Sequence, residues 1–175
     1  MAKKKKELKE HIRSVPDFPK PGILFRDITT LLKDSRAFKQ AVDALVKKYK
    51  NKKINKIVAV EARGFILGGA VAYKLGAGFV PVRKKGKLPW KANSVSYDLE
   101  YGTDTLEMHH DAINPGESVL IVDDLLATGG TVKAVTDLVK QLQGKIAGIA
   151  FLIELTDLKG KDKLKGYPVY SLIKY

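Results

Sequence analysis

The stretch that most constrains this chain is Val119 to Val135, VLIVDDLLATGGTVKAV. Val119-Leu120-Ile121-Val122 is a β-branched run after the turn-forming Asn114-Pro115-Gly116, and its lack of polar alternation suits a strand buried on both faces. Val132, Val135, Leu138, Val139 and Leu142 then recur on one side of a helical period until Gly144 ends the pattern. A strand covered on both sides and followed at once by a helix belongs to a parallel sheet flanked by helices.

The same rhythm recurs along the chain. Ile57 to Val60, Gly78 to Val82, Ile146 to Ile153 and Val169 to Ile173 read as strands, and Phe65 to Leu75 as a helix rich in small residues. Ser35 to Lys50 reads as a helix with Phe38, Val42, Leu45, Val46 and Tyr49 on one face, and Leu8 with Ile12 as a short surface helix before Pro16. Pro16, Pro19, Pro21 and Gly22 force an irregular loop. The class is α/β with a mostly parallel central sheet, and ligands are expected at the carboxyl ends of its strands. Val95 to His110 breaks the rhythm, alternating apolar and polar residues around Gly102, and predicts a hairpin with one wet side that serves as a flap over the site. At 175 residues a single domain spanning 1–175 is expected.

Ala127-Thr128-Gly129-Gly130-Thr131 lies between a strand's carboxyl end and a helix's amino end, where unpaired amides and the helix dipole favour an anion. Gly129 and Gly130 permit close backbone approach, and Thr128 and Thr131 add hydroxyl donors. Asp123 and Asp124, at the mouth of the strand, would repel a bare phosphate, so the ligand should also offer hydroxyls or a divalent metal, as a sugar phosphate does. Taken alone, the acidic pair equally suits a helix cap and the glycine pair a plain turn. Neither GxxxxGK[ST] nor GxGxxG occurs, which argues against a P-loop nucleotidase or a Rossmann dehydrogenase.

EARGF, after the strand ending at Val60, forms a second strand-to-helix seat with Arg63 as a fixed cation, though a helix-start salt bridge explains that arginine equally well. Arg83, Lys84 and Lys87 follow the next strand and add positive charge, with Lys85 solvated. Lys and Arg total 32 against 19 Asp and Glu, a net charge of +13, but the excess is widely spread and reads mainly as a solvated basic surface. The absence of cysteine excludes disulfide and thiolate chemistry, and no apolar run approaches the roughly 18 residues of a membrane helix. The basic amino terminus lacks the apolar core of a signal peptide, so a cytoplasmic protein with no membrane partner is expected. His109 and His110, without metal-ligand companions, read as surface residues.

An apolar strand followed by DDLLATGGT resembles the phosphoribosyl pyrophosphate (PRPP) loop of the type I phosphoribosyltransferase family, and its wording is similar to the adenine-using branch. PDFPKPGILFRDITTLLKD (Pro16 to Asp34), ARGF (Ala62 to Phe65), RKKGKLP (Arg83 to Pro89), YDLEYG (Tyr97 to Gly102) and IELTDLKG (Ile153 to Gly160) are similar to that family's segments in the same order. The resemblance implies the type I phosphoribosyltransferase fold with its hood, and transfer of the 5-phosphoribosyl group from PRPP to adenine, giving AMP and pyrophosphate. It further implies Mg²⁺ carried by PRPP rather than held directly by the protein, and a homodimer.

By the same resemblance Asp123 and Asp124 hold ribose hydroxyls, Ala127, Thr128, Gly129, Gly130 and Thr131 the 5′-phosphate, and Arg63, Arg83, Lys84 and Lys87 the pyrophosphate. Backbone groups of Leu24 and Arg26 read the adenine edge and Phe25 covers its ring. Glu100 handles the proton, and Tyr101 of the flap helps close the site. On their own residues, Ile23 to Phe25 equally suit a core plug, and Glu100 reads as a solvated hairpin position, so its role comes from the resemblance. An oxopurine-specific relative and a PRPP-sensing, DNA-binding regulator are the rivals. The PGILFRDI wording favours adenine over the first, and the short stretch before Pro16 leaves little room for the added module of the second, so no nucleic-acid partner is expected.

Overall fold

Secondary structure in the computed structural model, which describes residues 7–98 and 102–175, is shared between two compact units, Met1–Ala44 and Leu45–Tyr175. In the first, the expected amino-terminal helix is only a 3-10 turn, Leu8–His11. The chain extends straight after it into β1 (Arg13–Val15), which pairs antiparallel with β2 (Phe25–Asp27), so ladder formation outcompetes a second helical turn. Strands this short give no readable alternation. α1 (Thr29–Leu32) follows, and α2 (Ser35–Tyr49) starts where Asp34 Oδ1 accepts from the Arg36 and Ala37 amides, a side-chain cap of the expected helix.

The second unit is built on a seven-stranded sheet. Its elements run β3 (Lys56–Val60), α3 (Arg63–Leu75), β4 (Gly78–Lys84), β5 (Ala92–Asp98), β6 (Thr103–His109), β7 (Ser118–Leu126), α4 (Gly130–Gln141), β8 (Lys145–Glu154) and β9 (Val169–Lys174). The spatial order is β5-β6-β4-β3-β7-β8-β9, parallel from β4 to β9. Val119, Leu120, Ile121 and Val122 are each fully buried, as a strand without alternation requires. Val58, Val60 and Ile121 join a cluster with Val132, Val135, Leu138 and Val139 of α4, whereas Ala59 and Ile57 lie under Gly68 of α3. Alternate residues of β3 thus face different helices. A Cβ at Gly68 would come within 2.7 Å of the Ala59 Cβ, which is why this small-residue helix sits so close to the sheet.

The hairpin of β5 and β6 is present, but its base is part of the sheet. β6 pairs antiparallel with β4 at Arg83↔Glu107 and Lys84↔Leu106. Arg83 and Lys84 therefore belong to a strand rather than to the loop expected after Val82, because β6 keeps supplying ladder partners there. Side chains tie β5 to α4: Asn93 Nδ2 donates to Gln141 Oε1 at 3.1 Å, and Thr131 Oγ1 donates to Tyr97 Oη at 3.5 Å. Glu100 and Tyr101 lie outside the described residues. From β3 the chain passes to β4 on one side and later returns from β6 to β7 on the other, so the order switches between β3 and β7, where an open α/β sheet forms its ligand crevice.

Candidate active site

Pairing of β7 with β3 stops at Ala59↔Val122, whereas pairing with β8 continues to Leu126↔Glu154. Residues 123–126 thus project beyond β3 as part of the strand. Asp123 and Asp124 sit inside β7, not at its mouth as the sequence predicts, because β8 prolongs the ladder. They are only 8 % and 7 % exposed. Gly64 makes room for them: a Cβ there would lie 2.6 Å from Asp123 Oδ1. Asp124 Oδ2 lies 2.9 Å from Arg63 Nη2, a charge contact that joins the ends of the two central strands.

Burial and then the neighbouring Asp124 charge push the Asp123 carboxyl well above the usual carboxylate range. Burial also raises Asp124, against the pull of Arg63. A carboxyl whose folded pKa is raised binds its proton more tightly in the native state, so it costs stability as pH climbs from the ordinary carboxylate range through the folded value. Asp123→Asn removes this cost and keeps an oxygen to accept from the Asp124 amide, a bond of 2.9 Å. The variant is expected to melt a few degrees above the parent at pH 8, about what 1 kcal/mol does in a chain of this size, with the gap closing as pH falls toward 4. Thermal melts across pH check it; a gap that is constant or reversed rejects the assignment.

α4 starts with Gly129 as its cap at φ 80° and has no acidic residue in its first turn, leaving the dipole free to act on an anion. Ala127, Thr128, Gly129, Gly130 and Thr131 line a concave pocket of about 100 Å³ together with Asp123. Behind the loop, backbone meets backbone. A Cβ on Gly129 would collide with the Gly160 carbonyl oxygen, and one on Gly160 with the Ala127 carbonyl oxygen.

The second seat holds a residue that sequence reasoning passed over. Glu61, between β3 and α3, accepts from Arg83 Nη2 at 3.1 Å, the Lys84 amide at 2.7 Å and Lys87 Nζ at 3.2 Å. Burial opposes its charge, but these donors outweigh that and hold its carboxyl below the usual range. The parallel register contains the missing signal: Val60↔Val82 places residue 61 beside residue 83, so a carboxylate one step past β3 meets an arginine one step past Val82. Lys84 pairs with Asp104 at 2.9 Å, and Lys85 is exposed. Arg63, Arg83, Lys84 and Lys87 thus form a carboxylate-braced web and not a row of loose cations. Arg63 opens α3, two residues before the expected helix start.

In the first unit Leu24 is 48 % exposed and Ile23 is exposed as well, which excludes the core-plug reading for both. Phe25 is half-buried and packs edge-on against Phe18, with ring centroids 5.1 Å apart, and Arg26 Nη1 donates to Ser14 Oγ. His110 is exposed beside Trp90, and His109 is half-buried. Among the described residues no three His, Cys, Asp or Glu side chains gather to hold a metal, and no helix is long and apolar enough to cross a membrane.

The sequence matches the phosphoribosyl transferase domain family over residues 29–174. An adenine phosphoribosyltransferase of Clostridium kluyveri is 60 % identical over 168 residues, covering 96 % of this chain and 98 % of that protein. The crystal structure of adenine phosphoribosyltransferase from Thermoanaerobacter pseudethanolicus superposes with a TM-score of 0.94 at 55 % identity, covering 96 % of this chain and 98 % of that one. The Saccharomyces cerevisiae enzyme, solved with an imino-altritol bisphosphate and adenine, gives 0.90 at 42 % identity, covering 94 % and 96 %. A parallel sheet with an antiparallel hairpin at its edge, a glycine-rich strand-to-helix loop beside a buried acidic pair, and likeness over nearly the whole length place this chain in the phosphoribosyltransferase family, among the adenine phosphoribosyltransferases.

Proposed function

We propose that the chain performs purine salvage by moving the 5-phosphoribosyl group of PRPP onto adenine, with AMP and pyrophosphate as products, at the crevice between the ends of β3 and β7. The observation that carries this reading is the coupling of its two halves: an acidic pair beside the loop 127–131 is bound through Asp124 to Arg63 at the start of α3, 2.9 Å away. One ligand with a phosphate, sugar hydroxyls and a pyrophosphate suits that whole surface.

Displacement of pyrophosphate from the anomeric carbon by a purine ring nitrogen builds positive charge on the sugar and negative charge on the leaving group. Asp123 and Asp124 accept hydrogen bonds from the ribose hydroxyls. Amides and hydroxyls of Ala127, Thr128, Gly129, Gly130 and Thr131 seat the 5′-phosphate. Arg63, Arg83, Lys84 and Lys87 receive the pyrophosphate. Glu61 orders Arg83 and Lys87 before the ligand arrives, which lowers the entropic cost of assembling them. Mg²⁺ enters on PRPP and neutralises phosphate charge; a buried pair of carboxylates, one already engaged by Arg63, suits sugar hydroxyls better than a protein-built metal cage. Leu24, Phe25 and Arg26 are assigned to adenine, Glu100 to proton transfer and Tyr101 to closure on family resemblance. A cytoplasmic homodimer follows from the same resemblance.

Incubation with PRPP, Mg²⁺ and each purine base in turn tests the function. AMP from adenine, with no nucleotide from guanine, hypoxanthine or xanthine, is the expected result; IMP or GMP without AMP overturns it. The loop assignment has its own check. Gly160→Ala should push Ala127 and its neighbours off position and raise the KM for PRPP about tenfold, since sub-ångström misplacement at a binding loop is felt strongly. An unchanged KM in steady-state kinetics refutes that placement.

A further inference from the structure

We infer that the ion pair of Glu154 and Lys161 is a positioning device for the 5′-phosphate loop, acting through Gly160. The inference rests on the functional reading above and concerns residues to which that reading gives no part. Glu154 ends β8 and is the ladder partner of Leu126, the last residue of β7 before the loop. The next amide, Leu155 N–H, donates to the Leu126 carbonyl at 2.9 Å. Between this point and β9 the chain has only two 3-10 turns, Thr156–Leu158 and Gly160–Leu164, with no side-chain hydrogen bond capping either start. Such a segment has little rigidity of its own, so a few anchors decide where it lies.

Those anchors are identifiable. Leu164 is buried in the core cluster with α4 at one end of the second turn. At the other end Lys161 Nζ reaches Glu154 Oε2 at 2.8 Å. The carboxyl side chain is only 8 % exposed against 38 % for the lysine, so this contact is better shielded than an ordinary surface pair. Lys161 directly follows Gly160, whose backbone leaves no room for a Cβ on itself or on Gly129. The pair thus holds Gly160 against the back of Ala127 and Gly129 from the end of β8, the strand that pairs with β7 up to the start of the loop. The front of the loop is what a phosphate touches; its back is met by Gly160, whose segment Glu154 and Lys161 fasten to β8.

The consequence is selective. Loosening the pair should weaken binding of groups seated in the loop and spare those seated elsewhere. Glu154→Gln and Lys161→Met are each expected to raise the KM for PRPP roughly five- to tenfold, and the inhibition constant of AMP in parallel, with kcat and the KM for adenine within about twofold. Inhibition by pyrophosphate, which lacks the 5′-phosphate, should not move. Lys161→Arg keeps the charge and should restore the parental KM. The Glu154→Gln/Lys161→Met double variant should be no worse than Glu154→Gln alone, because the contact that Lys161→Met removes is already lost there.

Steady-state kinetics with PRPP, adenine, AMP and pyrophosphate decides the matter. An unchanged KM for PRPP in folded variants overturns the inference, as does an equal rise for adenine, the mark of general loosening. If Glu154→Gln does not fold, Lys161→Met, at the more exposed partner, still discriminates between these outcomes. A parent protein that forms no AMP brings down the functional reading and this inference with it, whereas an active parent with unaffected variants brings down only the inference.

Discussion

Asp123→Asn/Asp124→Asn is expected to fold and to lose about 10²–10³-fold in kcat/KM for PRPP, with little change in adenine affinity. Both side chains are buried at the projecting end of β7, within the crevice formed where β3 stops pairing. An amide keeps the volume of a carboxylate but replaces one acceptor with a donor, so a sugar hydroxyl that donated to the oxygen now faces an N–H group. Each lost charge-assisted bond is worth about 1.5–3 kcal/mol, so two together reach the stated range. The variant should stay folded, because relief of the buried Asp123 carboxyl offsets the loss of the Asp124 contact with Arg63. Calorimetric titration with PRPP and a thermal melt separate the possibilities. Undiminished PRPP affinity would remove the carboxylates from the sugar site, and collapse of the melt would show that they are structural.

How far this arrangement can be read from sequence depends on whether a residue's role is local. The strand at Val119–Val122 and the helix bearing Val132, Val135, Leu138 and Val139 follow from burial pattern alone, and the structure places them so. The mostly parallel character of the sheet follows from the alternation of strands and helices. What escapes is fixed by partners distant in the chain. The length of β7 depends on how far β8 accompanies it, and that of β4 on β6, so the sequence puts the acidic pair and Arg83 just outside strands that in fact contain them. Glu61 escapes for the same reason: its partners lie in the 83–87 segment, and only the register of β3 on β4 brings them together. Three-residue strands such as β1 and β2 carry too few positions for any period to show.

Arg63 has two roles at once, and Arg63→Ala should reveal both. The first is toward the leaving group: a guanidinium at the opening of α3 offers a planar fork to phosphate oxygens, and its removal is expected to slow pyrophosphorolysis of AMP by about 10²-fold. Arg63→Lys should recover only part of that loss, since an ammonium supplies charge without the fork. Lys85→Ala, at an exposed cation outside the web, should have almost no effect. The second role is toward the protein. Arg63 is the cation 2.9 Å from Asp124, and its charge restrains the rise that burial imposes on that carboxyl. Without it the folded pKa of Asp124 climbs further above the unfolded value. The ionised form then costs more native stability at neutral and higher pH, and the cost disappears as pH falls into the carboxylate range and the proton binds. Arg63→Ala should thus be destabilised by about 1–3 kcal/mol at pH 8 and by much less near pH 4. The Asp124→Asn background should reduce that pH dependence to the smaller part that Arg63 exerts on Asp123. A stability loss of equal size at both pH values would mean that Arg63 acts through packing, and kinetics matching Lys85→Ala would make it an ordinary helix-start cation.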